Sequence, residues 1–156
     1  AAQGRSRNAP SRWTVNPGFQ RPGSGTRIPP HVVTTFLDVL RSRSSFLLTG
    51  HENPDGDCLG AQVALFHLLQ ALGKKVHIVN PDPIGKGFDF LQLHTPFSHA
   101  RGDAPLPEFD VAVLLDCCQL SRVGALGQRL AQSGKTIAVI DHHVGSDRGD
   151  GTVCYV

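Results

Sequence analysis

The chain lacks methionine altogether, even at position 1, so it reads as a piece of a longer protein. Its four cysteines, Cys58, Cys117, Cys118 and Cys154, form no C-x-x-C pair. That argues against both a disulfide framework and a zinc site. Buried, reduced thiols in a cytoplasmic protein are the expectation instead. No apolar run nears the roughly 18 residues of a membrane span, and no signal-peptide core stands near the start. Charged residues make up only 18% of the chain. No G-x-G-x-x-G follows the first apolar run, which argues against a plain dinucleotide-binding domain. No internal repeat is present.

What remains suits one globular domain, since 156 residues and 40% hydrophobic content provide for one real core. The net charge of +2 hides an asymmetry. Arg5, Arg7, Arg12, Arg21 and Arg27 stand in a leader without Asp or Glu, leaving ten basic against thirteen acidic residues, a net of −3. The folded part is therefore mildly acidic, and a broad nucleic-acid-binding surface is not implied. Residues 1–29, rich in Gly, Pro, Ser and Arg, read as a disordered basic leader or linker, and 30–156 as the domain.

From Pro30 the pattern becomes periodic. Val32, Val33, Phe36, Leu37 and Leu40 have helical spacing. SFLLTG (45–50) is a buried strand candidate, and 59–73 a helix with Val63, Phe66, Leu69 and Leu72 on one side and Gly73 as its stop. KVHIVNPD is a second strand running into a turn and GFDFLQL a short helix, while the Pro-rich DAPLPEF is a loop. DVAVLLD (110–116) is a strand, 121–135 a helix with apolar Val123, Leu126 and Leu130, KTIAVIDHH (135–143) a buried strand, and TVCYV the start of one more. Strands alternating with helices predict an α/β fold, a mostly parallel sheet with helices on both faces.

The chemistry gathers at strand ends. SFLLT runs into His51, Asp55 and Asp57; VAVLL runs into Asp116; TIAVI runs into Asp141, His142 and His143. Parallel strands point one way, so these side chains can share one rim of the sheet, where α/β proteins bind ligands. Several carboxylates in one crevice repel, and a divalent cation removes the conflict. Asp and His without Cys favour Mn²⁺ or Mg²⁺, and the donors suffice for two ions that activate water against phosphorus. Taken singly, each of these residues fits an ordinary turn or a helix cap; their recurrence at three strand ends favours a site.

HENPDGD with LGA, LLD at 114–116 and IDHH at 140–143 resemble the successive motifs of the DHH phosphoesterases. VHIVNPDPIGKGFDFL and the ending DGTVCYV are most similar to the nano-RNases, which degrade oligoribonucleotides and dephosphorylate 3′-phosphoadenosine 5′-phosphate. The resemblance implies a Rossmann-like three-layer DHH domain. It implies that His51 and Asp55 hold one metal, that Asp57 and His142 hold a second, and that Asp116 bridges both. His143 would face the scissile phosphate and Asp141 would orient the histidines. Asn53 and Pro54 would shape the loop, and Gly56 would permit its tight turn.

Where the family has Gly-Ser, this chain has Gly60-Ala61. The family's fourth-motif aspartate and C-terminal substrate domain are not within these residues, and Asp147 and Asp150 read as loop residues. On its own the chain is thus expected to hydrolyse poorly. The implied substrate is short single-stranded RNA or a small phosphonucleotide, with no membrane partner. The oligomeric state stays open, a homodimer included. Other readings are a RecJ-like exonuclease, a cyclic dinucleotide phosphodiesterase, a pyrophosphatase, or a nucleotide-binding module without catalysis.

Overall fold

In the computed structural model, residues 30–143, 149–151 and 153–155 are described. The basic leader and Asp147 lie outside them. Helix α1 (Pro30–Ser42) leads into strand β1 (Ser45–Thr49). Helix α2 (Gly56–Ala71) crosses to β2 (Lys75–Asn80), and a 3₁₀ segment (Lys86–Leu93) precedes the short β3 (Phe97–His99). Strand β4 (Val111–Leu115) is followed by a 3₁₀ turn (Leu120–Val123), α3 (Gly124–Gln132), β5 (Thr136–Ile140) and β6 (Val153–Tyr155).

The six strands form one sheet in the order β3-β2-β1-β4-β5-β6, and every pairing is parallel. This is the doubly wound order, and its direction reverses between β1 and β4, which open a crevice at their carboxyl ends. β4 is apolar throughout, and β1 is apolar over Phe46, Leu47 and Leu48, because both of their faces are covered. Phe46, Leu48, Val111, Val113 and Leu115 pack with Phe36, Leu40, Leu65, Phe66 and Leu69 of α1 and α2. Leu47, Ala112 and Leu114 point the other way, onto Val123, Leu126 and Leu130. The period-two alternation of the strands thus builds two cores and three layers. Asp110 fastens the opposite end of the seam, its Oδ2 accepting from Ser44 and Ser45 N–H at 3.0 and 2.9 Å.

Four local expectations need correction. Helix α2 begins at Gly56 rather than Leu59, because Asp55 caps it. Its buried face is Leu59, Gln62, Leu65, Phe66 and Leu69, while Leu72 is exposed. Leu72 is the capping residue, past the last helical turn, and Gly73 follows at φ +73° as the expected stop. The tight turn of the first motif falls on Asn53 (φ 52°), not on Gly56. Gly56 serves α2 instead: a Cβ there would lie 3.3 Å from the Phe88 ring, which closes over the helix start. The predicted single helix at 121–135 is divided by Gly124 (φ 58°) into a 3₁₀ turn and α3. β3, three residues long, was not expected.

Candidate metal centre

The loop after β1 is built by capping. Asp55 Oδ1 accepts from Asp57 N–H at 3.0 Å and Cys58 N–H at 3.1 Å, which satisfies two of the orphan donors of α2. These bonds, Cys58 N–H first, hold the Asp55 carboxyl below its ordinary range. With Asp55 as cap, Asp57 and Cys58 fall in the first turn of α2, beside the end of β4. Asn53 N–H donates to Asp82 Oδ2 at 2.9 Å, and Glu52 N–H to Arg122 O at 2.8 Å. The loop is thereby tied to segments on both sides of the crevice.

Asp116 is the centre of the arrangement. It directly follows β4, is 6% exposed, and takes a left-handed conformation at φ 60°. That conformation is strained for a side chain with a Cβ. Among the described residues, Asn53 and Asp116 are the only non-glycine residues with positive φ, and both belong to this rim. Asp116 Oδ2 lies 3.6 Å from His51 Nε2. Its Oδ1 lies 3.2 Å from His142 Nε2 and 3.7 Å from His143 Nδ1, yet it is buried without a hydrogen bond. A buried carboxylate oxygen left in this way is costly unless something else binds it.

The histidines are oriented from behind. His51 Nδ1 donates to Glu52 O at 2.7 Å, which orients the ring with Nε2 toward Asp116. His142 Nε2 also lies 3.3 Å from Asp57 Oδ2, joining the first turn of α2 to the end of β5. Asp141, 6% exposed, collects three donors on Oδ1: His142 N–H at 2.8 Å, His143 N–H at 3.3 Å and His143 Nδ1 at 2.7 Å. The Asp141 bond raises the His143 pKa above the ordinary histidine value.

The structure therefore brings His51, Asp57, Asp116, Asp141, His142 and His143 together. Asp116, His142 and His143 present ligand atoms within 4.8 Å of one another, and so do His51, Cys58 and Asp116. Asp55 stands in neither group; it serves the helix start. Cys58 was not foreseen: only the capped start of α2 reveals that position 58 faces Asp116. Its thiol is fully buried, and burial, then Asp116, push its pKa up to about 12. Cys58 and Cys117 are buried free thiols, as expected. A cleft of about 660 Å³, lined by Ser45, Asp110, Arg129 and Lys135, opens at the amino ends of the strands, remote from this chemistry.

The donor set suits divalent cations. Carboxylate oxygens and imidazole nitrogens converge, one buried oxygen has no hydrogen-bond partner, and each orienting bond leaves a ligand face toward the crevice. Fold and site together define a doubly wound α/β domain with a histidine–aspartate centre at the switch point of its sheet. Residues 45–156 match the DHH family, N-terminal domain, and the chain belongs to that family.

It is 27% identical over 115 residues to a "Bifunctional oligoribonuclease and PAP phosphatase NrnA" of Mycoplasma genitalium, covering 74% of this chain and 35% of that protein. It is 34% identical over 106 residues to an "A-adding tRNA nucleotidyltransferase" of Geobacter sulfurreducens, covering 64% of this chain and 11% of that protein. The chain thus spans about a third or less of these relatives. An exopolyphosphatase-related protein from Bacteroides fragilis shares the fold, with a TM-score of 0.71 and 20% identity over 85% of this chain and 40% of its own. Among the described residues, no helix is long and apolar enough to cross a membrane.

Proposed function

We propose that the chain is the metal-binding part of a phosphoesterase acting on short oligoribonucleotides, on small 3′-phosphonucleotides such as 3′-phosphoadenosine 5′-phosphate, or on both. The observation that carries this reading is the buried carboxylate of Asp116, whose hydrogen-bond-free Oδ1 faces His142 and His143 at the end of β5 while its Oδ2 faces His51 after β1. The name of the Mycoplasma relative supports the substrate class. His51, Asp55 and Asp116 would hold one Mn²⁺ or Mg²⁺, and Asp57, His142 and Asp116 a second. Asp55 would then ligate while still capping α2. When bound, such a pair supplies Lewis-acid polarisation of a phosphoryl oxygen and a lowered pKa for water.

The protein's own groups supply the rest. His51 is held with Nε2 toward Asp116 through the Glu52 bond. Asp141 fixes the His143 ring, leaving Nε2 on the side turned toward a substrate. The raised pKa keeps that ring protonated to higher pH than an ordinary histidine, as a donor to the departing oxygen requires. The buried free thiols Cys58 and Cys117 fit a reducing, cytoplasmic setting.

Two measurements test this. Titration calorimetry should detect Mn²⁺ binding by the chain, with about 2.7 kcal/mol of added stability at a hundred times Kd. Asp116→Ala should abolish it. Hydrolysis of a dinucleotide, 3′-phosphoadenosine 5′-phosphate, a cyclic dinucleotide and pyrophosphate should then rank the substrates. It should be slow with residues 1–156 alone and faster in a protein extended to the length of the relatives. No ion binding by the wild type, or hydrolysis surviving Asp116→Ala, would sink the proposal. A second reading is a non-catalytic nucleotide-binding module, favoured by the matching region in the tRNA nucleotidyltransferase. It predicts nucleotide binding with no hydrolysis to lose.

A further inference from the structure

We propose that the corner between β1 and α2 is also a site for a thiophilic divalent cation, taken by the Cys58 sulfur together with His51 and Asp116. The inference rests partly on the proposed metal centre, with which it shares two residues, but Cys58 belongs to it alone. Cys58 Sγ, a ring nitrogen of His51 and a carboxylate oxygen of Asp116 all lie within 4.8 Å of one another. All three residues are buried, Cys58 completely. Asp116 joins this corner to the histidine side: its Oδ2 lies 3.6 Å from His51 Nε2, and its buried Oδ1, beside His142, has no hydrogen bond, so the carboxylate has capacity for a ligand.

The surroundings of the sulfur are built. Gln62 Nε2 donates to Sγ at 3.5 Å, and Sγ donates to Leu115 O at 3.8 Å. A Cβ at position 50 would overlap Sγ, so Gly50 is what keeps room for it. Sulfur, nitrogen and oxygen from one buried corner form the donor set of Zn²⁺ or Cd²⁺, whereas Mn²⁺ and Mg²⁺ prefer oxygen and leave a thiol protonated. On binding, the metal–sulfur bond forms as the S–H bond breaks. The proton leaves to solvent, and no electron is transferred. Leu115 O loses a weak donor, while the Gln62 N–H remains to support the thiolate. Because the ion uses His51 and Asp116, it competes with the hard cation: the same corner that accepts Mn²⁺ is blocked by Zn²⁺ or Cd²⁺.

The test is a Cd²⁺ titration followed by the ultraviolet thiolate-to-cadmium charge-transfer band, made in a Cys117→Ser/Cys118→Ser/Cys154→Ser background. One equivalent of Cd²⁺ should develop the band. Cys58→Ser should abolish it and weaken Cd²⁺ binding by about tenfold or more. Saturating Cd²⁺ should displace Mn²⁺ from the parent protein. Cys58→Ala repeats the comparison, with circular dichroism checking that both variants fold. A missing band in the parent, a band that survives both substitutions, or Cd²⁺ that leaves Mn²⁺ binding untouched would overturn the inference. The two readings separate cleanly. Failure of the parent to bind Mn²⁺ counts against the phosphoesterase, whereas failure of the Cd²⁺ band counts against the thiophilic corner.

Discussion

Gln62 and Asn80 are both fully buried, one in α2 and one at the end of β2, and they exchange a reciprocal pair of amide hydrogen bonds at 2.8 and 2.9 Å. Replacing Gln62 with Met keeps the volume but strands the Nδ2 and Oδ1 of Asn80 away from water. Each unsatisfied group costs about 1–3 kcal/mol, so the single variant should lose about 2–6 kcal/mol. For a domain of this size that lowers Tm by about 3–5 °C per kcal/mol. Asn80→Leu should cost somewhat less, because it strands Gln62 Oε1 while Gln62 Nε2 keeps its weak bond to Cys58 Sγ. The double variant strands nothing, so its loss should fall short of the sum by about 1–3 kcal/mol. Thermal or urea denaturation of the four proteins measures the cycle. Strictly additive losses, or single variants as stable as the parent, would refute the argument that mutual satisfaction is what keeps two polar side chains in this core.

Further outcomes follow from the same structure. Gly50→Ala should cost about 1–3 kcal/mol by overpacking against Sγ, and Cys58→Ala added to it should restore part of that in chemical denaturation. Asp55→Ala should lose about 1 kcal/mol as a cap. The Asp55 pKa is depressed in the fold, so its contribution is complete above the unfolded value near ~3.9 and vanishes as pH falls through the lower folded value. An acid titration of stability should therefore lose part of its steepness in Asp55→Ala. In a nuclear magnetic resonance titration, His143 should lose its proton above the ordinary histidine pH, and Asp141→Asn should lower that midpoint. The sign is opposite to that of Asp55: a raised histidine stabilises the fold at low pH and stops doing so as pH rises through its folded value.

The central strands were legible because burial on both faces leaves an unbroken apolar run, as in FLL, VAVLL and IAVI. Their parallel pairing made the rim legible too, since it forces His51, Asp116 and Asp141 to the same end. β3 was not legible: Phe97, Ser98 and His99 are too few to show an alternation, and pairing with β2 alone makes them a strand. The start of α2 was misjudged because Asp55 and Gly56 resemble a turn; the capping bonds to Asp57 and Cys58 turn them into a helix start. That same three-residue shift hid the depth of Cys58. Nor does periodicity reveal why Gln62 is buried, since its partner Asn80 is 18 residues away.

The junction of β1 with β4 carries one more consequence. His51 and Asp57 come from the half of the sheet that folds from nearby segments, and Asp116, His142 and His143 from the other. Ser45 and Asp110, at the foot of that junction, are 65 residues apart in sequence. Closing so long an excursion is slow, because chain entropy is lost before the contacts reward it. Each half can therefore acquire local order while the divalent centre does not yet exist, and in a refolding experiment metal capture should appear late, as a clock for the moment when the two halves zip together.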